Sequence, residues 1–169
     1  MMKMLLITVV IALSFCFSSS LLAHEGHDHS HEVAQLSVEN GQVREFLPAA
    51  ESSVGYLTIS NHSKVDAVLV KATIDGLGRV EIHQHKHEGA MMKMEKVSNI
   101  EIKAHESVQF QPGGLHLMVF EPQEPLIAGQ ERKLTLYFKD GNRIFTNIEV
   151  ISLAEQVEQS TSAKHHSHH

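Results

Sequence analysis

Through most of this chain apolar and polar residues trade places at every second position. In "VGYLTISN" Tyr56, Thr58 and Ser60 alternate with Leu57 and Ile59, and in "RVEIHQH" Glu81, His83 and His85 alternate with Val80 and Ile82. A period of two puts successive side chains on opposite faces of a strand, one face toward a core and one toward water. "VDAVLVKATI" is a β-branched run, and "SVQF", "LHLMVF", "KLTLYF" and "RIFTNIEVIS" continue the strand pattern, with "NG", "DG", "PGG" and "KDGN" as turn signals. No long segment carries a helical period and there is no internal repeat. Short strands with no helices between them predict an all-β domain, an antiparallel sandwich or small barrel.

The ends of the chain differ from this body. Lys3 precedes the uninterrupted apolar or small run Leu5–Phe17, and "SSSLLA" ends at Ala23. That layout predicts a secretory signal peptide over 1–23, too short for a comfortable membrane span. Phe15, directly before Cys16, argues against a lipoprotein-type cleavage there. A His-rich arm over 24–34 follows, then the folded domain over 35–153. Over 154–169, "AEQVEQSTSAK" and "HHSHH" predict a flexible or weakly helical His-rich tail.

With the signal removed, 146 residues remain, enough for one ordinary core. The sole cysteine, Cys16, leaves with the signal, so neither a disulfide nor a thiolate ligand or nucleophile is expected in the mature chain. Lys3 is the only charge in the signal, so the net charge goes from −6 to −7 on its removal. An acidic balance makes nucleic acid a poor partner. The expected state is a periplasmic monomer with no stable membrane insertion.

Fourteen histidines are the compositional anomaly. His24, His27, His29 and His31 lie in the first arm, and His165, His166, His168 and His169 in the tail. His83, His85 and His87 cluster between them; His62 and His105 read as surface residues at turns. After the signal, the methionines are Met91, Met92, Met94 and Met118, all between the His83 cluster and the end of "GGLHLM". Methionine serving only to fill a core would be spread over all the strands. Thioethers are soft, neutral donors that favour Cu(I), and imidazole serves copper and zinc equally. Two thioethers with two imidazoles would hold Cu(I) without adding charge and without thiolates, which oxidise outside the cytoplasm.

"VEIHQHKHEGAMMKM" followed by "PGGLHLM" resembles the signature of the periplasmic Cu(A) chaperone family, PCu(A)C. In that signature a histidine is followed by ten residues and a methionine, then twenty-one residues, a histidine, one residue and a methionine. "VGYLTISN" upstream and "PLIAGQERKLTLYF" downstream look like the family's flanking strands, so the resemblance spans Val54 to Phe138. It implies a cupredoxin-like, immunoglobulin-like β-sandwich that binds one Cu(I) through His83, Met94, His116 and Met118. It also implies delivery of copper to the Cu(A) subunit of cytochrome c oxidase, alone or with a Sco-type thioredoxin-like protein. Many relatives carry a methionine close behind the first histidine, where this chain has His85 and His87. On strand alternation His85 shares a face with His83, and Met92 with Met94, so both are auxiliary candidates.

"HEGHDHSH" in the first arm pairs histidine with Glu25 and Asp28, harder donors that suit Cu(II), Zn(II) or Ni(II), and "HHSHH" in the tail is similar in kind. Some relatives have His- or Met-rich tails thought to hold a second copper. The bland alternative is a solvated tail. A blue-copper electron carrier is excluded, because its trigonal site needs a thiolate. No "GxSxG" elbow supports a hydrolase, and no pattern supports a copper enzyme with an open coordination position. The rival from another class is a periplasmic zinc, nickel or copper buffer whose arms do the binding.

Overall fold

The computed structural model describes residues 35–89 and 91–165. Ten strands and one helix follow one another: β1 (Leu36–Arg44), β2 (Ser52–Asn61), β3 (Ala67–Ile74), β4 (Leu77–Glu88), β5 (Met91–Lys96), β6 (Ile100–Ile102), β7 (Ser107–Phe110), β8 (Leu115–Pro122), β9 (Glu131–Phe138), β10 (Arg143–Ile151) and α1 (Leu153–His165). The strands form one hydrogen-bonded sheet in the order β5, β4, β8, β7, β2, β1, β10, β9, β3, β6, with β8 also pairing with β2. A tight turn at Asp75–Gly76 joins β3 to β4, which stand near opposite ends of that order. The sheet therefore rolls on itself until its ends approach, enclosing one core.

That core confirms the period-two reading. Leu57 and Ile59 of β2, Ile82 of β4, Leu117 and Val119 of β8, and Leu134 and Leu136 of β9 are all buried in a single cluster. The all-β expectation holds, with one correction to its pairing. β1 runs parallel to β10 and β7 parallel to β8, so the sheet is mixed rather than wholly antiparallel.

A second correction concerns "NG" at Asn40–Gly41, which is not a turn between strands. It lies inside β1, where the register with β2 shifts between Glu39 and Gln42 and Asn40 takes a φ of 53°. Such a bulge re-aims the strand. Gly41 is required there because a Cβ would collide with the Ile148 side chain.

Where a flexible or weakly helical tail was expected, the structure has a helix of 13 residues. Its start is a capping box. The Glu155 carboxylate accepts from the Ser152 N–H at 2.7 Å and hydroxyl at 2.8 Å, and the Glu155 N–H donates to Ser152 Oγ at 3.2 Å. Gln156 ties the helix to the sheet by donating to Tyr56 Oη and accepting from Arg44, both at 3.2 Å.

Candidate metal centre

Strands β5, β4 and β8 lie side by side, and their register decides which side chains share a face. Across β4–β8, Ile82 pairs with Leu117 and Val80 with Val119, and these point into the core. The intervening rungs, Glu81 with Met118 and His83 with His116, therefore lie on the opposite face. Across β4–β5, His85 pairs with Met94, His87 with Met92 and His83 with Lys96. His83, His85, His116, Met94, Met92 and Met118 thus occupy one face. His83 is at the centre of the set, opposite His116 and diagonal to both Met94 and Met118, a spacing long side chains can span.

The hairpin between β4 and β5 turns at Gly89, whose φ is 64°. β8 begins after a turn at Gln111–Gly114 in which Gly113 has a φ of 80°. Only a residue without a Cβ takes that conformation freely, so "PGG" delivers His116 one residue after the strand starts.

The rings are close. His116 is 3% exposed, with the His85 ring stacked on it at 5.0 Å between centroids and the His83 ring at 6.0 Å. Toward β5 the face opens to solvent, since Met94 is 46% and Met92 58% exposed.

Hydrogen bonds select which ring nitrogen stays free. The Gly114 carbonyl can only accept, so His116 Nδ1 donates to it at 3.1 Å and Nε2 keeps its lone pair. An ionised Glu81 also can only accept, so His83 Nε2 donates to it at 2.9 Å and Nδ1 keeps the lone pair. His83 Nδ1 and His85 Nδ1 are buried with no hydrogen-bond partner among the described residues. A buried unpaired acceptor costs about 1–3 kcal/mol, and an ion is one way to satisfy it. The His83–Glu81 pair has the form that commonly orients a metal-binding imidazole.

Electrostatics follow the same geometry. Hydrogen bonds from Lys96, then from His83 and Arg79, hold the Glu81 carboxyl down at about 2 against the opposing effect of burial. Burial, with smaller contributions from the neighbouring His85 and His83 rings, pushes the His116 imidazole below its ordinary value, against the Gly114 hydrogen bond. His116 is therefore kept neutral, the form that can bind a metal.

Among the described residues, no three His, Cys, Asp or Glu side chains gather into a metal-holding group. Besides imidazoles and the Glu81 carboxylate, this face carries the thioether sulfurs of Met92, Met94 and Met118. Glu81, Lys96 and Arg79 escaped the sequence analysis; the signal was present in the two-residue offset that sets Arg79, Glu81 and His83 on one face.

The arms are beyond this comparison: His24, His27, His29, His31, His166, His168 and His169, like residues 1–23, lie outside the described residues, and His165 closes α1. His62 and His105 are exposed, as expected.

Residues 36–150 match the family described as "Putative lipoprotein LpqE-like". The chain belongs to this family, which is the PCuAC family. An uncharacterized protein of Rickettsia prowazekii, RP573, is 33% identical over 100 residues, 59% of this chain and 55% of its own length. The chain spans about half the length of the curated relatives it matches. Among solved structures, the apo PCuAC domain of PmoF1 superposes with a TM-score of 0.59 at 18% identity, covering 72% of this chain and 97% of that one. The solution structure of CuI-DR1885 from Deinococcus radiodurans gives 0.56 at 23% identity, covering 76% and 85%. These likenesses establish the PCuAC fold for the rolled sheet described above.

Proposed function

We propose that this chain is an extracytoplasmic copper chaperone that holds Cu(I) through His83, Met94, His116 and Met118 and catalyses nothing. The observation that carries the proposal is that all four share one face of β5–β4–β8, around a His83 whose buried Nδ1 has no hydrogen-bond partner among the described residues. Family membership agrees with it, and structures of the same fold include a copper-bound PCuAC domain from PmoF2 and CuI-DR1885. His85 and Met92 stand next to the set as auxiliary donors.

Release follows from exposure. His116 is buried while Met94 sits on the edge strand β5, all six residues of which are exposed. A thiolate from a partner approaches from that side and displaces the Met94 sulfur first. Thiolates bind the soft ion more strongly than thioethers, which gives the transfer its direction. The acceptor is the Cu(A) subunit of cytochrome c oxidase or a Sco-type protein, and the compartment is the periplasm, reached by the leader over 1–23. No helix among the described residues is long and apolar enough to cross a membrane. The His-rich arms, whose donors are harder than thioethers, hold Cu(II).

The test is anaerobic Cu(I) titration of a full chain in which the eight arm histidines are replaced by asparagine. The chaperone reading expects one tightly bound Cu(I) to remain. Loss of all tight binding would favour a zinc, nickel or copper buffer working through its arms.

A further inference from the structure

A carboxylate is built into the same face as the soft donors. Glu81 precedes His83 by two residues and is the cross-strand partner of Met118. Carboxylate oxygen is a hard ligand that serves zinc and other divalent ions rather than Cu(I). Placed beside two imidazoles, it would complete a divalent-ion site.

Both of its oxygens are engaged elsewhere. Oε2 accepts from His83 Nε2 at 2.9 Å, and Oε1 accepts from Lys96 Nζ at 2.8 Å and from Arg79 at 2.9 Å. The sheet brings both cations to Glu81, and Arg79 makes further contacts of its own. Lys96 is the β5 partner of His83, and the Arg79 guanidinium lies 3.8 Å over the Phe120 ring with Glu121 3.4 Å from its Nε. The Glu81 side chain is only 15% exposed, so it has little room to turn away from these partners.

We propose that Arg79 and Lys96 form a clamp that withholds Glu81 from the bound ion and so keeps the site selective for monovalent copper over zinc. Glu81 then acts through His83, as a positioning residue, and not as a ligand. The clamp rests on the copper reading above and adds to it the origin of metal choice. Replacing the two cations leaves Glu81 an unshared oxygen beside His83 and His116, and the site becomes open to Zn(II).

The experiment uses the full chain with its eight arm histidines replaced by asparagine, so that zinc reports on the core. Cu(I) and Zn(II) affinities are measured by competition titration for this background, for Arg79→Gln with Lys96→Gln, and for that pair with Glu81→Gln added. Both cation positions are substantially exposed, at 45% and 59%, so the fold tolerates their loss. The clamp predicts that the pair raises Zn(II) affinity relative to Cu(I) by about tenfold or more, the scale on which a ligand's outer partners act, and that Glu81→Gln returns the ratio to that of the background. A structural role alone would leave the ratio unmoved. An unchanged ratio in the pair, or a rise that persists with Glu81→Gln, overturns the clamp while leaving the copper reading intact. A background that binds no Cu(I) overturns both.

Discussion

His83 and His116 occupy the same rung of the β4–β8 ladder, their ring centroids 6.0 Å apart. Next to that rung, Ile82 pairs with Leu117 on the other face, inside the core. One alternating pattern thus serves both purposes, and a slip of one residue would exchange them, sending the imidazoles inward and the leucine out.

Stability and metal binding should therefore separate along β8 by parity. Leu117 is 1% exposed, and Leu117→Ala should cost about 2–5 kcal/mol in denaturant unfolding of the metal-free protein. Met118→Leu, which conserves volume, should cost less than about 1.5 kcal/mol while removing a sulfur donor. Comparable losses of stability from the two substitutions would contradict the assignment of faces.

Acid should act on the fold through Glu81. Its carboxyl is lowered in the folded chain from 4.5 to about 2, so the unfolded chain takes up a proton first. The stability it contributes is fully present above pH 4.5 and is lost as pH falls toward about 2. Glu81→Gln should flatten the unfolding-against-pH curve in that window and leave its shape above pH 5 unchanged. An unaltered slope between the two values would show that the carboxylate is not held by Lys96, His83 and Arg79.

For His116 the direction of the shift predicts a different window. Burial lowers its imidazole below the ordinary 6.5, so the folded chain resists protonation where the unfolded chain accepts it. Stability associated with this residue is present above 6.5 and declines as pH falls below that value. An NMR titration of the metal-free protein should give a His116 midpoint under 6.5. A midpoint above it would mean that the Gly114 hydrogen bond outweighs burial.

Much of this architecture is written in the chain as alternation. The strands carrying Leu57, Ile82, Leu117 and Leu134 follow from period two, because each buries one face only. Pairing direction is a different matter: the parallel contact of β1 with β10 joins segments distant in sequence, and local pattern carries no information about it. "NG" was legible as a place needing positive φ, but a bulge and a turn use that conformation alike. α1 was legible only as a flexible or weakly helical tail because its residues lack an apolar stripe; its surer sign was the local box of Ser152 and Glu155. At the proposed site, the His and Met candidates were picked out by residue type and by the spacing that resembles the family signature. Their sharing of one face across three strands is visible only in the register. Lys96 could not be picked out, since only the β4–β5 register brings it to His83.

The central claim is that Cu(I) is held by sulfur from both Met94 and Met118 together with imidazole. The direct measurement is X-ray absorption at the copper edge on anaerobically loaded full chain, comparing the parent with Met94→Ala and Met118→Ala. Sulfur scattering should be present in the parent and should fall with each substitution. A parent spectrum with only nitrogen and oxygen neighbours, or sulfur scattering unmoved by both substitutions, would contradict the account.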